Sequence, residues 1–295
     1  MPRCLRVACA KGVLYRAACA TVALSGLFAH AATLAHGAEP HEAATDAATR
    51  RQAAAAIPLD KVEPAYRDAV RDVVSQPTLF RRLPTSVVDC RPAMFTYVVE
   101  NPEALVEIWS DLGLSHAELV RTGENTFALS DGAGTTGEMV VVESTCEAGA
   151  QNRIVMYVDG RYEGKPFNRP LTAKCVLLLR SGSIEETNGR QYVAARIDSF
   201  IKLDQTSVAL LAKAMHPLIG KTADRNFADT VGFISSLSYT AEARPERIRE
   251  LAVSLDGLDE PRKQRFDNVI DECHRSGIAW QQSRLATGLT DPTPR

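Results

Sequence analysis

The chain has 295 residues, of which 45% are hydrophobic, and its 34 basic and 36 acidic side chains give a net charge of −2. This composition excludes the strongly basic surface that a nucleic acid partner requires. The length is sufficient for one large domain, or for one domain with additional helices, around an extensive apolar core.

Residues 1–38 have the pattern of an export signal. Four basic residues precede an uncharged apolar run at 17–28, and small-residue triplets follow at 29–31 and 35–37. A basic start, an apolar core of about 7–15 residues and an A-x-A-like end are typical of a secretory signal peptide. The run is shorter than the roughly 20 apolar residues of a membrane span. We therefore predict cleavage between residues 31 and 38, a periplasmic or extracellular protein, and no transmembrane segment after cleavage.

Four cysteines, Cys90, Cys146, Cys175 and Cys273, follow the leader. An oxidising compartment favours disulfides, and four cysteines allow two bridges in three connectivities. No C-x-x-C pair is present, and no two of His116, His216 and His274 have zinc-ligand spacing, so no metal site is predicted. The alternative is that the four thiols are small buried apolar side chains.

Composition and hydrophobic period divide the rest of the chain into segments. Residues 39–58 are alanine-rich and predict a low-complexity tether, helical at most near its end. An apolar residue at every third or fourth position from Val62 to Val73 predicts an amphipathic helix. The predicted segments are an N-terminal helix with an irregular lead-in (59–91), a main domain (92–240), C-terminal helices (241–275) and a frayed tail (276–295).

The main domain is predicted to be an antiparallel meander. Met94–Val99 indicates the first strand, and Asn101 with Pro102 begins a helix that ends at Gly113. The period then changes to two, and the connections are too short for crossover helices. The predicted strands are 119–129, 139–146, 153–162, 171–180 and 192–201.

A helical period returns after Asp204 and predicts a long amphipathic helix, with a kink or a break at Pro217. The predicted fold class is therefore α+β. A curved antiparallel β-meander wraps on this long C-terminal helix, and extra helices flank the pair.

This order of elements resembles the helix-grip architecture of the START and birch-pollen-allergen (SRPBCC) superfamily. In that family a curved sheet wraps around the C-terminal helix and encloses an apolar cavity. The resemblance covers about residues 92–240. It departs from the family in having one helix, instead of two, after the first strand, and in Pro217 with the helices that follow. The segments NPEALVEIW (101–109) and GKTADRNF (220–227) also resemble a group of exported planctomycete-type proteins, which implies no activity.

The resemblance implies a cavity between the sheet and the helix after Asp204. Core packing is the alternative role for each side chain that the periodicity places nearest to this cavity. These candidates are Trp109, Val141, Tyr157, Ile197, Leu211, Met215 and Phe227.

No catalytic motif is present, and no cofactor is expected. His216 and Glu143 are the candidates for proton transfer, His216 because an unperturbed imidazole titrates near neutral pH. A position at a helix end, favoured by the helix dipole, is the alternative for His216. Arg196 and Asp198 share one strand face with Tyr192, which indicates either a substrate clamp or cross-strand ion pairs on an outer sheet face.

Three functions remain open at this point. The preferred hypothesis is an exported, non-enzymatic protein that binds a lipid or another apolar small molecule between sheet and helix. The second is a cyclase or dehydratase-like enzyme on the same scaffold, and the third is a structural or interaction module with a solid core. The sequence leaves a protein partner unknown. The volume between sheet and helix distinguishes the first hypothesis from the third.

Overall fold

The central element of the fold is an open, curved antiparallel sheet of eight strands. The computed structural model describes residues 43–146, 151–164, 169–187, 189–204 and 206–286. Side chains of 206–219 are not described, and the predicted signal segment lies outside the described residues. The strands are β1 (Leu79–Arg82), β2 (Ser86–Val88), β3 (Glu118–Arg121), β4 (Thr126–Ser130), β5 (Thr135–Thr145), β6 (Asn152–Tyr162), β7 (Leu171–Glu185) and β8 (Gln191–Leu203). The helices are α1 (Ala47–Ala55), α2 (Arg67–Ser75), α3 (Pro92–Glu100), α4 (Pro102–Asp111), α5 (Thr206–Ala243), α6 (Pro245–Val253) and α7 (Glu260–Ala286).

The strand order is β1-β8-β7-β6-β5-β4-β3, and β2 also pairs with β8. Strands β3 to β8 follow each other along the chain and in the sheet, whereas β1 comes first in the chain and pairs with the last strand. The long helix α5 follows β8 directly. The predicted α+β class, the antiparallel meander, the long C-terminal helix and the flanking helices are thus confirmed.

The segment Met94–Val99 is a helix, and the prediction of a strand there was wrong. Its β-branched and aromatic residues favour a strand, but Pro92 occupies the first turn of α3, where its missing N–H has no cost. Met94, Phe95, Tyr97 and Val98 are all buried, so short apolar periodicity could not separate a strand from a helix. The first strand is β1 instead, and a pair of helices, α3 and α4, follows it.

The outer face of the sheet, defined as the face away from α5, is covered by α1 and α2. Asp46 caps α1, since its Oδ1 accepts hydrogen bonds from the backbone N–H groups of Ala48 and Thr49, both at 2.9 Å. Ala53 and Ile57 are buried in one cluster with side chains of α2 and of β5 to β8. The prediction of a tether at 39–58 is therefore wrong for the described part, which contains the packed helix α1. The alanine side chains of α1 are small, and this lets the helix approach the sheet closely.

Helix α5 runs without interruption through Pro217, so a break is absent there, and the alternative of a kink stays a prediction. It packs against the inner face of the sheet and against α3, α6 and α7. Helix α7 extends to Ala286, ten residues beyond the predicted start of the frayed tail, and Trp280 lies beneath the guanidinium groups of Arg190 and Arg284. Among the described residues, no helix combines the length and apolar character needed to cross a bilayer.

Candidate ligand cavity

A cavity of about 250 Å³ lies between the inner face of the sheet and helices α3, α4 and α5. Most of its lining is aliphatic or aromatic. The lining includes Leu79, Leu83, Val98, Leu105, Trp109, Leu129, Met139, Met156, Val158, Leu177, Leu179, Ile197, Ile201, Ala223, Phe227, Val231 and Ile234.

Strand alternation explains why the inner face is apolar. On β6, Met156 and Val158 point inward, whereas the intervening Tyr157 points to the outer face. Leu177 and Leu179 on β7 occupy the inner positions opposite Met156 and Ile154. Successive side chains of a strand alternate between faces, so in-register pairing places apolar side chains side by side on the cavity wall.

An ion pair joins the sheet to α5 at the lining of the cavity. Arg81 on β1 donates a hydrogen bond of 2.8 Å from Nε to Oδ1 of Asp224 on α5, and its Nη2 also contacts that carboxylate. The guanidinium group lies against Gly220, where a Cβ would stand 2.5 Å from Arg81 Nη1. Gly220 therefore allows α5 to approach β1 closely enough for the Arg81–Asp224 pair to form.

Asn226 is the polar side chain of the lining with an unused hydrogen-bonding capacity. It is 4% exposed and lies on α5 beside Phe227. Its backbone carbonyl accepts a hydrogen bond from Thr230 Oγ1 at 2.7 Å, but none of the described residues hydrogen-bonds to its side-chain amide. A hydrogen-bonding group of a ligand in the cavity could satisfy this amide and would be favoured next to Asn226.

The sequence candidates for the cavity lie in four different places, of which the fourth is the outer face of the sheet. Trp109, Ile197 and Phe227 are part of the lining. Val141 lies on the inner face of β5 beside the cavity cluster but is not part of the lining. The side chains of Leu211, Met215 and His216 lie outside the described residues, although their backbone belongs to α5.

Tyr157 was expected at the cavity and lies on the opposite face of the sheet. Its ring stands 5.7 Å from the ring of Tyr66, in the cluster beneath α2. The helical cover of the outer face, which the alternation of apolar residues alone does not reveal, accounts for this placement.

Glu143, the candidate for proton transfer on the sheet, also belongs to the outer face. Arg153 donates two hydrogen bonds to its carboxylate, from Nε at 3.0 Å and from Nη2 at 2.7 Å. Burial acts to raise the pKa of Glu143, but the hydrogen bonds from Arg153 and Thr145 outweigh it and hold the pKa below its ordinary value. Glu143 is therefore ionised at neutral pH, paired, and remote from the cavity.

The four candidate disulfide residues are free thiols in the structure. Cys175 is part of the cavity lining, and burial raises the pKa of its thiol to about 12. Burial likewise raises the pKa of Cys90 and of Cys273 to about 12, and both thiols lie beside the hydroxyl of Ser238. None of the expected bridges is formed.

A second hollow, of about 440 Å³, lies between α3, α7 and the ends of β6 to β8. Its lining mixes apolar side chains with Glu100, Arg265 and Glu272, and the Arg265–Glu100 ion pair occupies its margin. It lacks the continuous apolar wall of the first cavity, which is for that reason the better candidate for a ligand site.

Sequence reasoning missed Arg81, Asp224 and Asn226. The sequence places Asp224 on the solvated face of α5, and its partner Arg81 is 143 residues away. Asn226 stands beside Phe227 in the helical pattern, and a polar residue next to the apolar stripe was the signal available.

Among the described residues, no group of His, Cys, Asp or Glu side chains lies close enough together to bind a metal ion. Comparisons with protein-family models and with curated proteins give no match.

The Glu143–Arg153 pair predicts a pH-dependent contribution to stability. Because the pKa of Glu143 in the fold lies below its ordinary value of 4.5, its ionised form stabilises the fold above that pH. This stabilisation is lost as the pH falls through the lowered pKa. We expect Glu143→Gln to reduce the free energy of unfolding by roughly 1–2 kcal/mol at pH 7, allowing for the partial exposure of Arg153. Urea denaturation between pH 3 and pH 7 measures the difference.

The difference between the two proteins should shrink below pH 4.5. Glu138→Gln is the matched control, because Glu138 lies exposed on the same strand, and it should leave the stability nearly unchanged. A deficit of Glu143→Gln that stays constant down to pH 3 would contradict the assignment.

Proposed function

We propose that the protein binds an apolar small molecule in the cavity between the sheet and α5. The observation that supports this proposal is the cavity itself, with a wall built from strands β1 and β3 to β8 and from three helices. Core packing normally leaves few voids larger than a water molecule. A void of about 250 Å³ is better explained by a ligand than by a solid structural core.

The volume limits the size of the ligand. Apolar cavities of about 150 Å³ bind benzene, and drug-sized ligands occupy about 300–1,000 Å³. At about 250 Å³ the cavity lies between these two classes. Because the cavity is partly open, this volume limits the part of the ligand that it holds, which we propose is an aromatic ring or a short apolar chain.

The polarity of the wall defines the ligand further. One hydrogen-bonding group on an otherwise apolar molecule would satisfy the Asn226 side-chain amide, which is buried in the lining. A ligand bearing a hydroxyl, carbonyl or amide group therefore fits better than a pure hydrocarbon.

We also propose that the chain is a divergent member of the helix-grip SRPBCC superfamily. In support, α3 and α4 form a pair of helices after β1 and the short strand β2, where the sequence pattern predicts one helix. The antiparallel meander followed directly by α5 is in the same order as in that family. If the chain belongs to this superfamily, the resemblance implies that the cavity between sheet and helix binds a ligand.

No observation favours an enzyme to the same degree. Glu143 is on the wrong face of the sheet for chemistry in the cavity and is held ionised by Arg153. The role of His216 stays a hypothesis. We therefore propose binding, without catalysis, as the function of the cavity.

Export is proposed from residues 1–38. If this segment is a signal peptide, protein isolated from the native organism should begin between residues 31 and 38 and should occur in the periplasm or the medium. Intact-mass measurement of fractionated cells gives both answers at once. A native protein that retains its first 38 residues in the cytoplasm would contradict the proposal.

A substitution that fills the cavity should abolish binding. Ala173 lies on β7 in the lining and is 4% exposed. The ring of an Ala173→Phe side chain would occupy ligand space, and we expect the affinity for the neutral probe N-phenyl-1-naphthylamine to fall about tenfold or more. Fluorescence titration measures the affinity, and circular dichroism verifies the fold.

Ala128→Phe is the matched control, since it adds the same ring at an exposed position of β4. It should leave probe binding unchanged. Equal affinity of the folded Ala173→Phe variant and the wild type would place the probe elsewhere and refute the proposed site.

Replacing the amide of Asn226 should change the preference among ligands. Asn226→Leu keeps a similar shape but removes the hydrogen-bonding group. We expect the affinity for benzyl alcohol to fall about 2–10-fold, whereas the affinity for toluene stays equal or rises. Ligand-observed NMR titrations of both compounds measure the change. A parallel loss for both compounds would show that Asn226 shapes the cavity without bonding to the ligand.

A further inference from the structure

Three arginines occupy directly opposite positions on neighbouring strands of the outer face. Arg153 on β6 pairs in register with Arg180 on β7, and Arg180 pairs with Arg196 on β8. Arg82 on β1 lies next to them, opposite Asp198. We call Arg82, Arg153, Arg180 and Arg196 the arginine row.

Two buried carboxylates neutralise only part of this charge. Asp198 is fully buried and accepts hydrogen bonds from Arg82 Nη2 at 3.2 Å and from Arg180 Nη2 at 3.1 Å. Glu143 is paired with Arg153 at the other end of the row. Within the described chain, no carboxylate lies within ion-pair distance of Arg196. Among the described residues, four positive charges thus face two negative ones, and the nearby Asp60 and Lys61 carry opposite charges that cancel.

The arrangement is unfavourable unless an anion joins it. Like charges at directly opposite positions of a sheet repel each other, and their Cβ atoms are only about 5 Å apart. The Nε atoms of Arg180 and Arg196 are buried without a hydrogen-bond acceptor among the described residues. Burial, together with the charges of Arg180 and Arg82, lowers the pKa of Arg196 below its ordinary value. These observations all indicate a missing negative charge between Arg180 and Arg196.

We propose that the arginine row binds a tetrahedral oxyanion of the phosphate class, as the free ion or as a phosphate monoester. A dianion balances the two excess positive charges, whereas a carboxylate balances only one. Guanidinium groups donate in a planar fork that matches two oxygens of a phosphate, and two adjacent forks can hold one phosphate from two sides. This site lies on the opposite face of the sheet from the cavity and does not depend on the proposed function.

Small residues leave an approach to the row. The next cross-strand pair beyond Arg180 and Arg196 is Gly182 and Ala194. Among the described residues, a Cβ at Gly182 would meet only the Cγ of Gln151, at 3.8 Å, so these residues place little bulk on that side. Helix α1 borders the other side, where Gln52 Oε1 accepts a hydrogen bond of 2.7 Å from Arg82 Nη1.

Arg196→Gln tests the proposal without removing an ion pair. The wild-type protein should bind inorganic phosphate in isothermal titration calorimetry at constant ionic strength. Its melting temperature should rise by roughly 3–5 °C for each tenfold excess of phosphate over the dissociation constant. Arg196→Gln should melt at or above the wild-type temperature in sodium chloride, and its affinity for phosphate should fall at least about tenfold.

Arg161→Gln is the matched control. Arg161 lies on the same strand as Arg153, is more than half exposed and contacts Glu163 at 2.9 Å. Its replacement removes one positive charge outside the row and should leave phosphate binding unchanged. Equal losses in both variants would indicate general charge attraction and would overturn the site.

Two further results would also overturn it. One is the absence of any heat or thermal shift with phosphate in the wild-type protein. The other is a clear destabilisation by Arg196→Gln in sodium chloride, which would mean that Arg196 already has a partner in the chain.

If phosphate binds, vesicles of phosphatidylcholine with and without phosphatidate identify the source. Arg196-dependent binding of the phosphatidate vesicles indicates a lipid headgroup, and binding of phosphate alone indicates a soluble anion.

Discussion

The in-register pairing of β6, β7 and β8 is the constraint on which the rest of the structure depends. Because side chains alternate along each strand, this register aligns Met156 with Leu177 on the inner face and Arg153 with Arg180 on the outer face. A shift of one residue would exchange the two faces and would bury the arginines in the cavity. The register of β6, β7 and β8 therefore produces both the apolar wall of the cavity and the arginine row.

The position of α5 explains why the inner wall encloses a void. The helix packs mainly on β1, β2 and β8, at one side of the curved sheet, and Gly220 lets it approach Arg81. Strands β3 to β7 and helices α3 and α4 supply the rest of the lining. Phe227 on α5 and Trp109 on α4 both belong to it, so the cavity lies where the sheet and helices from two parts of the chain come together.

The two faces of the sheet have different chemistry because they are covered differently. The long helix contributes Phe227 and Val231 to an apolar interior with the single amide of Asn226. On the outer face, α1 and α2 cover the central part of the strands, and the covered cluster ends at Leu178. Arg180 and Arg196 lie just beyond the edge of this cover. They are therefore partly exposed, yet too buried to be fully hydrated. The proposed apolar ligand and the proposed anion would therefore bind at separate sites, on opposite faces of the sheet.

The sequence by itself determined the meander and the long helix after Asp204, because two- and 3.6-residue periods are local properties. It also identified Trp109, Ile197 and Phe227 as side chains that point toward the helix–sheet space. Only the tertiary structure decided that Met94–Val99 is a helix, that α1 is packed, and that Tyr157 faces Tyr66. Those outcomes depend on which distant surface covers each segment, and a buried apolar run gives the same local signal in either conformation. The pairing of Arg81 with Asp224 and the alignment of Arg153, Arg180 and Arg196 depend on strand register, which brings together residues far apart in the chain.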